Sequence, residues 1–124
     1  MARSGVPKVV VVGPCASGKS TLVAHLQEAG INAYWVAQEH SIVSGMFRRR
    51  EPDLVIYLDI SEEGLTQRRD LVWFRSRLDA QKCRLARARS EADLIITTDD
   101  ITPMAIRDKV LAFIERMPPC NRKH

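Results

Sequence analysis

Apolar residues fall into four short dense runs along this chain, separated by longer stretches in which apolar positions recur with helical spacing. Lys8 to Val12 is a β-branched run that suits a central strand of a parallel sheet, covered on both faces. From Gly18 to Gly30 the apolar positions Leu22, Val23, Leu26 and Ala29 repeat as on one face of a helix, and Gly30 is placed to end it. Ile31 to Ala37 predicts a second strand, followed at once by the polar group Gln38-Glu39-His40-Ser41. Ile42, Val43, Met46 and Phe47 predict one short helix before Arg48-Arg49-Arg50, with Pro52 as its stop. Asp53 to Asp59 predicts a third strand, and Ser61 an N-cap for a helix through Arg69. Phe74, Leu78, Leu85 and Ala88 share one stripe of a further helix from Phe74 to about Ser90. Leu94-Ile95-Ile96 predicts a fourth strand. Thr102-Pro103 opens a last helix, with Ile106, Val110, Phe113, Ile114 and Met117 facing inward and Pro118-Pro119 ending it. Alternating strands and helices predict an α/β fold with a parallel sheet, right-handed crossovers and helices on both faces.

Length and composition narrow the picture. At 124 residues and 45% hydrophobic content, the chain is expected to form a single domain over 1–124, with an ordered core over 7–117 and a tail at 118–124. No apolar run reaches membrane-spanning length, and Met1-Ala2-Arg3-Ser4-Gly5 lacks the apolar centre of a signal peptide, which predicts a cytoplasmic protein with no membrane partner. Cys15, Cys83 and Cys120 are odd in number, far apart and without a Cys-x-x-Cys pair, so reduced thiols are expected rather than a disulfide framework or zinc site. The net charge of +4 and the excess of Arg over Lys favour anionic partners. Codon preference produces the same excess, so charge alone decides nothing.

Chemistry enters at Gly13-Pro14-Cys15-Ala16-Ser17-Gly18-Lys19-Ser20-Thr21, directly after the valine run and directly before the first helix. Gly at the first and sixth positions and Lys-Ser at the seventh and eighth, between strand and helix, form the Walker A pattern of a phosphate-binding loop. Glycines let the backbone wrap tightly and turn its N–H groups inward toward an anion. The helix start adds unpaired N–H groups and the positive end of a dipole. Lys19 is expected on the β- and γ-phosphates of ATP or GTP, the Ser20 hydroxyl on Mg2+, and Thr21 on an α-phosphate.

Three blocks make the chain resemble the P-loop kinase group, the nucleoside and nucleotide kinase-like NTPases. They are the loop itself, Pro52 to Ser61 with the following Arg68-Arg69, and Ala92 to Asp99 before the last helix. The resemblance implies a three-layer P-loop NTPase fold with four parallel strands in the order 2-1-3-4. It also implies that Glu39 and Asp59 end the strands flanking the loop strand, where an acid can hold the water shell of Mg2+ or orient an acceptor. Glu39 is favoured for that role and Asp59 for a structural one. Arg68, Arg69, Arg75 and Arg77 resemble the arginines with which such kinases cover charge on the transferred phosphoryl group, although a solvated basic helix face has the same pattern. Arg75, Lys82 and Arg89 recur along one edge of the apolar stripe, with Arg77 and Arg84 at its other edge.

The departures from the group are as specific. Gln38-Glu39-His40 stands where nucleotide kinases carry an Asp-Arg or Asp-Gly motif, and the turn Gly30-Ile31-Asn32 leaves no acceptor-binding segment. His40 suits a general base, a metal-shell residue or a backbone-bonded loop position. Trp35, Trp73 and Phe74, each beside apolar neighbours, are expected in the core rather than as a base-stacking platform. The sequence leaves two readings open. One is a small kinase-like phosphotransferase that acts with Mg-ATP or Mg-GTP on a small-molecule acceptor or on water, with Lys19, Glu39 and the four arginines as catalytic residues. The other is a nucleotide-binding regulatory or assembly module with little or no turnover. Nucleic-acid binding through Arg48-Arg49-Arg50 ranks below both, because interleaved aromatics and a helix-turn-helix pattern are missing.

Overall fold

The structure, a computed structural model, describes residues 7–14, 17–61 and 72–116, with side chains of the last stretch described from residue 80 onward. Four strands form one sheet: β1 (Lys8–Val12), β2 (Asn32–Trp35), β3 (Leu54–Asp59) and β4 (Leu94–Thr97). All pairings are parallel and the order is β2-β1-β3-β4, so β1 lies inside the sheet with Val10 opposite Tyr34 on one side and Val55 on the other. Among the described residues the α-helices are α1 (Lys19–Glu28), α2 (Val72–Glu91) and α3 (Pro103–Arg116).

The valine run is divided between two cores because successive strand side chains point to opposite faces. Val9 and Val11 pack with Leu22, Val23 and Leu26 of α1 and with Ile106, Val110 and Ile114 of α3. Val10 and Val12 pack with Tyr57, Phe47, and Leu85 and Ala88 of α2. Helices therefore cover both faces, and all four valines are buried. Thr102 caps α3, its Oγ1 accepting the Ala105 N–H at 3.1 Å. No helix among the described residues is long and apolar enough to cross a membrane.

Two aspartates fix strand register with their side chains. Asp53 Oδ2 accepts the Lys8 N–H at 2.7 Å while the Asp53 N–H donates to the Lys8 carbonyl. Asp93 repeats the device one strand over, its Oδ2 accepting the Val55 N–H at 2.8 Å and its N–H donating to the Val55 carbonyl. Each carboxylate supplies an acceptor where the parallel ladder begins, so the entering N–H is not left unpaired.

Two expectations are corrected. The short helix predicted through Ile42, Val43, Met46 and Phe47 does not form. Instead there are 3-10 turns at Gln38–His40 and Met46–Arg48, with Phe47 buried and Ile42 89% exposed. The cause is Gln38: its Nε2 donates to the Val43 carbonyl at 2.8 Å and its Oε1 accepts the Phe47 N–H at 2.9 Å. Those two backbone groups would bond each other in an α-helix, and the glutamine amide stands between them. Trp35 is 47% exposed rather than in the core. It is the last residue of the edge strand β2, in which Ala33 and Tyr34 are buried, one in each core, and the two end residues Asn32 and Trp35 are exposed. The strand predicted over Ile31 to Ala37 is correspondingly shorter, since β1 offers five residues to pair with. The helix expected from Ser61 through Arg69, together with Met117 and the tail, lies outside the described residues, as do the side chains of Trp73, Phe74 and Leu78.

Candidate functional site

The carboxyl ends of β1 and β3 meet at Gly13. A Cβ there would stand 2.3 Å from the Leu58 carbonyl oxygen and 2.8 Å from Ser17 Oγ, so only glycine lets the chain pass this close to β3. Gly18, with φ of 97°, is in the left-handed region and opens α1 without any capping side chain. Helix geometry then leaves the N–H groups of Lys19, Ser20 and Thr21 without intrahelical acceptors. The Ser17 N–H turns back to the Pro14 carbonyl at 3.2 Å, while Ser17 Oγ is buried and has no hydrogen-bond partner among the described residues. Cys15 and Ala16 lie outside the described residues.

Lys19 folds over this turn rather than into solvent and is only 8% exposed. Its Nζ donates to the Gly13 carbonyl at 2.8 Å, to the Pro14 carbonyl at 3.3 Å and to Glu39 Oε2 at 2.7 Å. Ser20 and Thr21, by contrast, are exposed at the first turn of α1. Glu39, 3% exposed, reaches the lysine from the 3-10 turn after β2. Two further contacts hold that turn in place: the Gln38 amide bridge beneath it, and Arg84 of α2, whose guanidinium donates to the Glu39 carbonyl at 3.3 Å. His40 is exposed, with Nε2 3.8 Å from the same Glu39 oxygen.

Asp59 ends β3 in different company. Its Oδ1 accepts the Ile60 N–H at 3.0 Å, Oδ2 lies 3.6 Å from Arg89 of α2, and its carbonyl accepts the N–H and hydroxyl of Thr98. The two acids that the sequence placed in competition thus face different cations. Arg68 and Arg69 lie outside the described residues; Arg75 and Arg77 lie on the first turns of α2, their side chains not described. The described arginines near these two acids are Arg84 and Arg89, expected only at the edges of the apolar stripe. Gln38 carried no role in the sequence either. Its signal was the capacity of one amide to donate and accept at once.

Beside the loop opens a cavity of about 290 Å³, lined by Ser17, Gly18 and Thr21 on the polar side and by Leu22, Ile101, Pro103 and Ile106 on the apolar side. A concave site with one apolar wall and a few polar groups is the general form of a small-molecule pocket. Among the described residues no three His, Cys, Asp or Glu side chains gather as a metal cluster.

Compared with known proteins, the chain matches no family model and no curated protein.

Proposed function

We propose that this chain is a P-loop NTPase-type nucleoside triphosphate-binding protein, and that it acts as a small kinase-like phosphotransferase on Mg-ATP or Mg-GTP. The observation that carries the reading is Lys19: a buried ammonium bonded to the Gly13 and Pro14 carbonyls, at the start of a helix that has no capping side chain. A cation beside the uncapped N-terminus of a helix is an arrangement that suits a polyphosphate. The apolar wall of Leu22, Ile101, Pro103 and Ile106 suits the flat face of a base. Ser17 and Thr21 line the cradle in this reading, and Cys15 and Ala16 belong to the same Walker A run of the sequence.

Mg2+, held by Ser20 and Glu39 when bound, supplies neutralisation of the phosphate oxygens. Lys19 orients the β- and γ-phosphates, and Arg68, Arg69, Arg75 and Arg77 are the cations proposed to cover charge that develops during transfer. The competing reading, a binding module without turnover, is favoured by one observation: α1 ends at Glu28 and β2 begins at Asn32, so the connection has no room for an acceptor-binding segment.

Titration calorimetry with Mg-ATP and Mg-GTP tests the binding claim. Lys19→Ala removes a charge-assisted contact and should weaken affinity by about 10- to 150-fold. Equal affinity in wild type and variant would overturn the phosphate-cradle reading.

A further inference from the structure

β4 closes one side of the sheet, and among the described residues it pairs with β3 alone. Beside its outer edge opens a cavity of about 640 Å³, bordered by β4 itself and by Lys109, Ala112, Phe113 and Arg116 of α3. Independently of the phosphate-loop reading, we infer that this groove takes a strand from a partner protein: an extended segment that adds to the edge of β4 and carries acidic side chains toward α3.

A strand edge presents backbone N–H and C=O groups at alternate positions, and proteins blunt such edges with charged side chains or proline. Leu94-Ile95-Ile96-Thr97 has neither. Alternation divides its side chains between the two faces of the sheet. Leu94 and Ile96 pack into the core shared with α1 and α3, so Ile95 and Thr97 take the opposite face, where Ile95 is 41% exposed. The groove thus offers hydrogen bonds along its floor and apolar surface on either side of them. An extended chain uses both at once, its main chain for affinity and its alternate side chains for specificity.

Charge decides which chain. Lys109 and Arg116 are both exposed and stand two helical turns apart, about 10 Å along α3. Asp108 also borders the groove, but its Oδ1 accepts from Arg107 Nε at 3.0 Å and from Arg107 Nη2 at 2.8 Å, which offsets its charge. The wall is therefore net cationic. A second copy of this chain fits it poorly, because an isologous pairing of two β4 edges brings the same wall from each copy to one twofold axis and sets cation against cation. The net charge of +4 opposes self-association in the same sense. An acidic segment is complementary. Same-face side chains of a strand repeat about every 6.7 Å, so acids at alternate positions lie within reach of the flexible Lys109 and Arg116 stems. The residues between those acids turn to the other face, where apolar side chains cover Ile95.

The test uses the full chain and an end-blocked synthetic peptide, Thr-Val-Glu-Val-Glu-Val-Thr, whose glutamates share one face and whose valines share the other. Calorimetry measures affinity, and amide hydrogen exchange reads protection of β4. Wild type should bind this peptide with added protection at β4, and should bind a counterpart with lysine in place of both glutamates about 10-fold more weakly or worse. The double variant Lys109→Glu, Arg116→Glu, changed at two exposed positions, should reverse that preference. N-methylation of the valines and N-methylation of the glutamates should act unequally, because only one alternate set of N–H groups faces β4. Absence of binding by wild type overturns the inference. So does a preference that survives the charge reversal, or an equal effect of the two methylation patterns. Dimerisation of the chain alone in sedimentation velocity, abolished by Ile95→Lys, would put a second copy in the groove and overturn it as well.

Discussion

The guanidinium of Arg89 lies 3.6 Å from the carboxylate of Asp59, tying the end of β3 to the last turns of α2. Asp59 thereby has a cation of its own and is not directed at Lys19, which Glu39 engages instead. Arg89 is exposed, so the pair is screened and worth about 0–1 kcal/mol. Asp59→Asn keeps an acceptor for the Ile60 N–H and should lower stability by no more than that, while the Mg2+ dependence of nucleotide binding stays as in wild type. Loss of the Mg2+ dependence in Asp59→Asn would move the metal role from Glu39 to Asp59.

Gln38 invites a sharper stability test. Gln38→Leu has similar volume but leaves the Val43 carbonyl and the Phe47 N–H without the amide between them. The Val43 carbonyl still accepts the Met46 N–H, so the buried Phe47 N–H is the group left stranded, at a cost of roughly 1–3 kcal/mol read as a lower urea midpoint. Because Glu39 rides on the same turn, Lys19-dependent anion binding should weaken in parallel. A midpoint equal to wild type would mean the bridge carries no net energy.

Alkaline pH probes the second core. Burial, with the Asp59 carboxylate beside it, pushes the Tyr57 phenol from 10.0 up to about 12. The folded state therefore keeps the proton at pH values where the unfolded chain has lost it. The stability contributed by neutral Tyr57 is complete below pH 10.0 and is lost as pH rises toward about 12. Tyr57→Phe should flatten that part of the stability profile, measured by denaturant unfolding across the window. Parallel wild-type and variant profiles would contradict it.

Turnover separates the two functional readings. Replacing Arg68, Arg69, Arg75 and Arg77 singly by Ala should reveal at least one whose loss lowers kcat far more than nucleotide affinity, because cations that engage developing charge act in the transition state. The assay follows phosphate release and phosphorylation of nucleosides, nucleotides and small hydroxylated metabolites, with Lys19→Ala as the contamination control. Tight Mg-nucleotide binding with no turnover above that control would favour the binding module.

The sheet was legible where one-dimensional pattern and environment coincide. Val9 to Val12 read as a doubly covered strand because every side chain there is apolar, and the 3.6-residue repeat of Leu22, Val23 and Leu26 had no competing interpretation. Residues 42–47 misled for a reason outside their own pattern: a side chain four residues earlier intercepts the hydrogen bond on which a helix would depend. Trp35 misled because nothing local says that β2 is an edge strand. At the site, the Gly13 and Gly18 positions were legible from spacing, since each is demanded by backbone geometry. The pairing of Lys19 with Glu39, and of α2 arginines with the two acids, depends on how a helix distant in sequence lies over the sheet, and spacing holds no record of that.

The parallel sheet also sets conditions on how the chain is made. β1 is synthesised before every strand it pairs with, and its register with β3 closes across a separation of 45 residues, from Lys8 to Asp53. At about 5–20 residues per second, the ribosome leaves the four valines without their second neighbour for about 2 to 9 seconds. During that interval the most apolar segment of the sheet has one open edge and an incomplete cover on each face. Yield in the cell is thus exposed to the speed of elongation through residues 13–53, a sensitivity that belongs to the order of the strands and that no measurement on the finished fold would register.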